Sequence, residues 1–352
     1  MSYRKWLFVT FGVSGMLVAA IMTFSYIMDP LWMNTISTKY NRFQLAFDER
    51  QLKTNRLTFE QRNYDTLLIG SSRMTYMNPY LFGKDSFNYS ASSMYPDEFV
   101  PYIRYFTKQN ERPAKTIVLG LDFSSVNKKR DIKSSKPEDY VNRPIPAIAF
   151  LKNLMTKDTV QYAMENMEIS KNKDLADTNG MRVYNRQMVA YAPKANQKEV
   201  NQKIAEEIKR YPEELKEFEY DQGYKSLLQS IKKSSRSSEF IILTTPVTAP
   251  RFDTYMEQPH VFDAYQEWLG DIIDVFGGVY VFMDINEITM DTSNFFDTHH
   301  SYPEVGELMA ARILKKEQSE LPENFGKWVT EANVDSFVSE VEEQMKQYDS
   351  EN

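Results

Sequence analysis

The chain has 352 residues, 42% of them apolar and 14% aromatic, which is the composition of a folded protein with a sizeable core. Its formal net charge of -7 and the lack of a basic recognition motif exclude nucleic acid as a predicted partner. Cysteine is absent, which excludes disulfides, thiol nucleophiles and thiolate metal sites, and imidazole chemistry is limited to His260, His299 and His300.

An uncharged apolar run occupies residues 6–28. At ~1.5 Å per helical residue, it is long enough to cross a hydrocarbon core of ~30 Å. Arg4 and Lys5 precede the run and Asp29 follows it, so the positive-inside rule places the N-terminus in the cytoplasm and the remainder outside. A cleaved signal peptide is the alternative, but the run exceeds a usual h-region and ends without a small-residue cleavage site. We therefore predict that residues 1–28 hold an uncleaved, single-pass anchor in the cell membrane.

Residues 29–62 form a polar, mixed-charge segment, which we interpret as a juxtamembrane spacer. Short apolar runs of strand length follow at 66–69, 87–89, 116–121, 240–244 and 279–283. Stretches with helical spacing of apolar residues lie between them at 96–109, 221–233 and 262–276. This alternation predicts an α/β domain over residues 63–320, with a five-stranded parallel sheet and helices on both faces.

The interval 124–220 is far longer than an ordinary crossover and is rich in Lys, Asn, Asp and Glu. We interpret it as a helical insertion, either a solvated surface or a roof over a substrate groove. After Pro303, apolar residues at helical spacing predict a helix that closes the domain. Residues 321–352 form an acidic tail, whose predicted amphipathic helix packs on the domain or on a partner.

The first candidate motif is Gly70-Ser71-Ser72, where the first predicted strand of the domain ends. Ligands collect at the carboxyl ends of parallel strands, so these serines stand where chemistry is expected. Taken alone the signal is weak, because serines at such a turn more often cap the helix that follows.

The second candidate motif is Asp297 to His300, between the last predicted strand of the sheet and the closing helix. A serine hydroxyl needs an imidazole to remove its proton, and the imidazole needs a carboxylate to fix its tautomer. The alternatives are a decorated surface turn, or a zinc site, for which two adjacent histidines and an Asp lack a known ligand spacing. His260 has no partner pattern and is predicted to be a surface residue.

Together the two motifs resemble the first and last blocks of the SGNH/GDSL hydrolase superfamily. They resemble most its membrane-anchored branch, the DltD-like and AlgJ/AlgX-like proteins. The resemblance implies a flavodoxin-like, three-layer α/β/α fold. It makes Ser72 the nucleophile, with Ser71 in place of the usual Asp, and it selects Asp297 and His300, rather than His299, as the other members of the site.

The middle blocks of the family, which form the oxyanion hole, are altered here. Ser90 stands in place of a glycine and keeps a backbone N–H, whereas Asp122 replaces an amide donor and would repel a developing oxyanion. Loss of one good donor typically slows such a reaction by a factor of ~100 to 1,000. One possibility is that Asp122 is structural and the N–H groups of Ser72 and Ser90 suffice. The other is that Arg73 or Asn127 contributes a donor.

The resemblance implies an acyl-serine intermediate whose acyl group passes to a hydroxyl of a cell-envelope or secreted polysaccharide. It also implies a multi-pass membrane-bound O-acyltransferase as a partner, and the mechanism requires neither a metal nor an organic cofactor. Two alternatives stay open. One is a GDSL-type esterase of envelope polymers or lipids, and the other is an accessory subunit of an acylation machinery that keeps the fold without the activity.

Overall fold

The computed structural model of the chain describes residues 2–60, 62–132, 135–140, 147–171, 181–316 and 321–351. In this part of the chain the α-helices are α1 (Tyr3–Met28), α2 (Glu49–Phe59), α3 (Pro96–Gln109), α4 (Pro137–Tyr140), α5 (Ala147–Asn153), α6 (Lys157–Lys171), α7 (Gln197–Ile208), α8 (Tyr211–Leu215), α9 (Tyr224–Ser234), α10 (Ala249–Met256), α11 (Pro259–Phe276), α12 (Glu287–Met290), α13 (Pro303–Ile313) and α14 (Val334–Glu351). The strands are β1 (Phe43–Ala46), β2 (Thr66–Ile69), β3 (Ser86–Asn88), β4 (Thr116–Leu121), β5 (Arg182–Asn185), β6 (Ala190–Tyr191), β7 (Glu239–Thr244), β8 (Val279–Val281) and β9 (Lys327–Val329). Short 3-10 helices lie at Ser72–Tyr76, Pro79–Phe82, Phe123–Val126 and Thr292–Asn294.

The chain divides into two compact units, each built from two stretches of sequence. The first unit is Met1–Gln61 with Pro137–Arg186, and the second is Arg62–Lys136 with Gln187–Asn352. The interval 124–220, predicted as one insertion in a single domain, is therefore divided between the units.

The first unit joins segments that are distant in sequence. Strand β1 pairs antiparallel with β5, with Phe43 opposite Asn185, and helix α6 packs against β1. Part of the segment predicted as a spacer is folded here, because it forms β1 and α2, and α2 buries Leu52 and Leu57. These contacts are the reason why residues 137–186 belong with the N-terminal stretch.

Helix α1 contains the apolar run of the N-terminus. It is 26 residues long, and its most apolar window has a mean hydropathy of 2.1 with no buried residue. By length and composition this helix can cross a membrane, a property that single-pass anchors and signal sequences share.

The second unit is built on a sheet with the strand order β3-β2-β4-β7-β8-β9. Strand β2 pairs in parallel with β3 and β4, and β7 pairs in parallel with β4 and β8. Strand β9 runs antiparallel to β8, so the sheet is six-stranded and mixed. The predicted α/β class is confirmed, but the five-stranded parallel sheet is not, because part of the predicted tail adds an edge strand.

Three polar or small residues meet at one edge of this sheet. Gly70 follows β2, Asp122 follows β4 and Thr245 follows β7, and the carboxyl ends of parallel strands lie side by side. Met74 packs tightly here, since a Cβ atom on Gly70 or Gly120 would lie 2.5 or 2.2 Å from its Cγ. Glycine at both positions therefore lets the turn after β2 lie close against β4.

The C-terminal part of the chain covers the second unit. The helix predicted after Pro303 is α13, whose apolar residues join Leu68, Val118 and Leu243 in the core. The amphipathic helix predicted in the tail is α14, and it lies against α11 with Phe337 buried. Most of the predicted tail is thus packed on the unit that carries the candidate site.

Candidate active site

The two adjacent serines in the turn after β2 have different hydrogen-bond partners. Ser71 precedes the 3-10 helix Ser72–Tyr76, and its Oγ accepts the backbone N–H of Arg73 at 3.3 Å. Ser72 is the first residue of that helix, and its Oγ lies 2.8 Å from Nε2 of His300. Capping, the commoner use of a serine at such a turn, is therefore a role of Ser71.

Asp297 and His300 lie in the loop before α13. The Oδ1 atom of Asp297 accepts the backbone N–H groups of His299 and His300 at 2.8 and 2.7 Å, which closes the loop on itself. Its Oδ2 atom lies 2.7 Å from Nδ1 of His300. The structure thus brings the three predicted residues into one continuous chain, from the Ser72 hydroxyl through the imidazole to the carboxylate.

The electrostatics of Asp297 fit a group that stays ionised. Burial raises its pKa, but the hydrogen bond with His300 and the one from the backbone N–H of His299 help to outweigh burial, and the pKa lies well below its usual range. An ionised Asp297 accepts a hydrogen bond from the Nδ1–H group of His300. The Nε2 atom is then free of a proton and can accept the hydroxyl hydrogen of Ser72.

Aromatic rings fix the plane of the His300 imidazole. The ring of Phe296 stacks on it, with 5.4 Å between centroids and an interplanar angle of 4°, and Tyr76 meets it edge-on at 6.1 Å. The backbone N–H of Phe296 also donates to the carbonyl of His300 at 3.1 Å. These contacts hold Nε2 toward Ser72.

His299 points to a different neighbour. Its Nδ1 atom lies 2.9 Å from a guanidinium nitrogen of Arg251 and accepts from that donor. Burial first, and then the positive charges of Arg251 and Arg73, hold the pKa of His299 well below its usual value, so its imidazole is neutral. His300 is therefore the histidine that contacts Ser72, as the last block of the motif predicted.

The predictions from sequence missed Arg251, the centre of a buried hydrogen-bond cluster. Its guanidinium donates to the hydroxyls of Tyr211 and Tyr255 at 2.9 Å and to Thr298 at 3.0 Å. Glu207 on α7 accepts from both Tyr211 and Thr298. The part of the predicted insertion in the second unit therefore braces the histidine loop. The one feature of the sequence that could have indicated Arg251 is its position shortly after the end of β7, where functional residues of a parallel sheet collect.

A metal at this loop is disfavoured by the surrounding charge. Ligand atoms of Asp297, His299 and His300 lie within 4.8 Å of one another. However, Nδ1 of His300 already holds the carboxylate, and the guanidinium of Arg251 faces Nδ1 of His299. A cation would stand beside a buried positive charge, so the donor set suits proton transfer better than metal binding.

The backbone N–H of Ser90, the predicted oxyanion donor, has a partner within the protein. The residue is fully buried, and its backbone N–H donates to Oδ1 of Asn88 at 3.0 Å. The side chain of Asn88 in turn donates to the carbonyls of Met74 and Met77. The Ser90 amide thus belongs to a hydrogen-bond chain that holds the turn after β2, and its role as an oxyanion donor stays a prediction.

Asp122 is neutralised by neighbours rather than exposed to a substrate. Its Oδ1 atom accepts the hydroxyl of Thr245 and lies 3.4 Å from a guanidinium nitrogen of Arg73. The same nitrogen of Arg73 donates to Thr245 at 2.9 Å. Burial lowers the pKa of Arg73 and the charge of Asp122 opposes that shift. Asp122 thus holds the guanidinium that follows Ser72, and these contacts fit the structural role among the predicted alternatives.

Asn127, the remaining predicted donor, lies at the end of the 3-10 helix Phe123–Val126. Its Oδ1 atom accepts the backbone N–H of Lys129 at 3.0 Å, and its backbone forms a bridge with Tyr220. His260, as predicted, is exposed, and its imidazole contacts the carbonyl of Leu215 at 2.9 Å. The local bonds of Asn127 indicate that it shapes a turn.

A scan against models of known protein families found no match for the chain, and no match was found among curated proteins. The case for a function therefore depends on the geometry of the site and on the motifs quoted above.

Proposed function

We propose that this protein is a serine acyl-transfer enzyme of the SGNH type that works through an acyl-Ser72 intermediate. The observation that carries the proposal is the unbroken chain of contacts from Ser72 Oγ to His300 Nε2, at 2.8 Å, and from His300 Nδ1 to Asp297 Oδ2, at 2.7 Å. A nucleophile, a base and a carboxylate that orients the base are the parts required for serine catalysis.

The proposed reaction has two halves. Ser72 Oγ attacks the carbonyl carbon of an ester or thioester while His300 Nε2 takes the hydroxyl proton, and Asp297 stabilises the imidazolium. His300 then gives this proton to the departing alcohol or thiol, which leaves an ester on Ser72. In the second half an acceptor hydroxyl attacks that ester, His300 takes its proton, and the proton returns to Ser72 as the product leaves.

We further propose that Arg73 stabilises the oxyanion. It follows Ser72 directly, and its guanidinium is held by Asp122 and Thr245. The charge of Asp297 acts on the pKa of Arg73, which indicates that the guanidinium lies within electrostatic range of the site. A positioned donor of this kind is worth ~100- to 1,000-fold in rate.

The proposal also covers the hydroxyl that accepts the acyl group and the location of the protein in the cell. We propose that the acceptor is a hydroxyl of a cell-envelope or secreted polysaccharide and that a multi-pass membrane-bound O-acyltransferase supplies the acyl group. The motifs of the membrane-anchored SGNH branch and the apolar helix α1 support this. In the proposed topology α1 is a single-pass anchor, the N-terminus is cytoplasmic, and the second unit lies outside the cytoplasm.

The strand arrangement supports an SGNH fold for the second unit. In sequence, Ser72 follows β2, the first strand of the six-stranded sheet, whereas Asp297 and His300 follow β8, the last of its parallel strands. We propose that strands β3-β2-β4-β7-β8 are the parallel core of that fold and that β9 is an addition at its edge.

A fluorophosphonate probe tests the serine chemistry on the full-length protein in detergent. Wild type and Ser71→Ala should be labelled, whereas Ser72→Ala should take no label. His300→Ala should be labelled ~10² to 10⁴ times more slowly than wild type, because the general base is lost. The matched control is His260→Ala, which removes an exposed imidazole away from the site and should label at the wild-type rate.

Two results would contradict this proposal. Wild-type labelling of Ser72→Ala would move the nucleophile elsewhere. A folded wild-type protein that takes no label would favour the accessory-subunit alternative.

The lack of native cysteine allows a direct test of topology. Ser2→Cys and Glu343→Cys place one thiol at each end of the chain. A membrane-impermeant maleimide added to intact cells should label Glu343→Cys, and should reach Ser2→Cys only after the cells are permeabilised. The opposite pattern would reverse the proposed orientation.

A further inference from the structure

Three carboxylates lie together where helices α10 and α14 end. Asp253 and Glu257 are one helical turn apart at the end of α10, and Asp349 is in the last turn of α14. One oxygen from each side chain lies within 4.8 Å of the oxygens of the other two. This group has no part in the candidate active site.

Asp253 is the member of this cluster that needs an explanation. It is only 7% exposed, and its Oδ1 atom is buried without a hydrogen-bond partner. Across the described ranges, none of the carboxylates of Asp253, Glu257 and Asp349 takes part in an ion pair. A buried, unpaired carboxylate is costly unless a cation or a donor compensates it.

The helices themselves make the local potential more negative. The C-terminal end of a helix carries a partial negative charge, which disfavours carboxylates and favours cations. Neither α10 nor α14 has a basic residue in its last turn. The carboxylates and the two helix ends therefore create a negative potential that favours a bound cation.

We propose that Asp253, Glu257 and Asp349 bind a calcium ion that ties the end of α14 to α10. Carboxylate oxygens are hard ligands of the kind that Ca²⁺ prefers, and three of them within 4.8 Å of one another can reach a single ion. Magnesium dehydrates reluctantly and is usually held by one or two carboxylates, so a site with three carboxylates favours calcium. Glu257 and Asp349 are exposed, which leaves room for water to complete the coordination.

The ion stabilises the folded protein, because the two helices contribute their ligands together only in the folded state. A ligand that binds only the folded state raises the unfolding temperature, and the rise grows with the logarithm of the ligand concentration once this exceeds the dissociation constant. The bound ion should stabilise the packing of α14, whose residues Phe337 and Val341 are buried within the second unit.

Calcium titration of the full-length protein in detergent tests this inference. After EGTA treatment and buffer exchange, the unfolding temperature is measured against CaCl₂, against MgCl₂ at equal concentration and against NaCl at equal ionic strength. The variants are Asp253→Asn and Asp349→Asn. The matched control is Glu343→Gln, which removes an exposed carboxylate from another face of α14.

Wild type and Glu343→Gln should show an unfolding temperature that rises with the logarithm of the CaCl₂ concentration, a smaller rise with MgCl₂ and none with NaCl. Both Asn variants should lose the calcium response. Without calcium, Asp253→Asn should unfold at the wild-type temperature or above it, because a buried unpaired charge has been removed. A wild type that ignores CaCl₂, or Asn variants that respond as wild type does, would overturn the proposal. Neither result bears on labelling of Ser72.

Discussion

The hydroxyl oxygens of Ser71 and Ser72, neighbours in the chain, have different partners. Ser71 Oγ accepts the backbone N–H of Arg73, whereas Ser72 Oγ lies 2.8 Å from Nε2 of His300. One serine thus stabilises the turn after β2 and the other faces the imidazole. A sequence motif that looked ambiguous between capping and catalysis contains a residue suited to each.

This division predicts opposite effects for the two alanine variants. Ser71→Ala should lower the free energy of unfolding by about 1 kcal/mol, the usual value of a lost cap, and should keep probe labelling. Ser72→Ala should abolish labelling with a stability near that of wild type. Chemical unfolding monitored by tryptophan fluorescence, beside the labelling assay, separates the two. Equal losses of stability would contradict the assignment.

Asp297→Asn tests the orientation of the base. An Asn side chain can still accept the backbone N–H groups of His299 and His300, but its amide nitrogen then faces Nδ1 of His300 and favours the wrong tautomer. The acylation rate should fall by a factor on the order of 10⁴, with the fold retained. The measurement is the rate of probe labelling, and a variant within about tenfold of wild type would contradict the role.

The lowered pKa of Asp297 also predicts a pH effect on stability. A carboxylate whose pKa is lower in the folded state stabilises the fold above its unfolded pKa, near 3.8, and this contribution is lost as the pH falls below that value. Acid unfolding of wild type should therefore be steeper below pH 4 than that of Asp297→Asn, which has no such carboxylate.

Arg73 is predicted to act on the rate of the chemical step. Arg73→Gln removes the cationic donor and should reduce acylation by ~100- to 1,000-fold, mainly in kcat. Asp122→Asn leaves Arg73 and Thr245 in place, and it supplies the amide that the resemblance to the SGNH/GDSL superfamily led us to expect at this position. It should therefore keep most of the activity. If Arg73→Gln acylates at the wild-type rate, the oxyanion donor is another group.

Asp284 provides a stability test that is independent of catalysis. It is fully buried, and burial raises its pKa to about 7 despite the hydrogen bond from Asn286. The folded state therefore keeps a proton that the unfolded state releases near pH 4. Stability is full at low pH and is lost as the pH rises from about 4 to 7, by at most about 1.4 kcal/mol per pH unit. Asp284→Asn should unfold at a higher temperature than wild type at pH 8 and near the wild-type temperature at pH 4. A wild-type advantage at pH 8 would contradict this.

The sequence predicts the five parallel strands of the six-stranded sheet well and misses its antiparallel edge strand. The runs at 116–121 and 240–244 coincide with β4 and β7 because buried parallel strands are continuous apolar segments. Strand β9 has only three residues, and its Trp328 packs on Tyr280, a contact that exists only after folding. The pairing of β1 with β5 is likewise invisible in any local pattern, since it depends on contacts between distant segments.

The site shows the same contrast between local and distant information. Ser72, Asp297 and His300 were predicted from two short motifs, and the fold brings them within hydrogen-bond distance. The hydrogen-bond partner of the Ser90 amide could not be predicted, because it depends on the rotamer of Asn88. The brace around Arg251 depends on helices from a segment that carries no motif.

Transfer and hydrolysis share the acyl-enzyme, and they differ in the hydroxyl that attacks it. A bound sugar has an effective concentration of up to ~10⁵ M or more, provided that the site holds the sugar and excludes water. The α7–α8 region contacts the histidine loop through Glu207 and Tyr211, and we propose that it holds the sugar there. A transferase should therefore react slowly with a model acyl ester alone and accumulate acyl-Ser72, visible by intact-protein mass spectrometry. Adding an oligosaccharide acceptor should discharge the acyl group onto the glycan, seen as a gain in glycan mass, and Ser72→Ala should abolish it. If the ester is consumed rapidly in water while every glycan tried stays unmodified, the protein is an esterase.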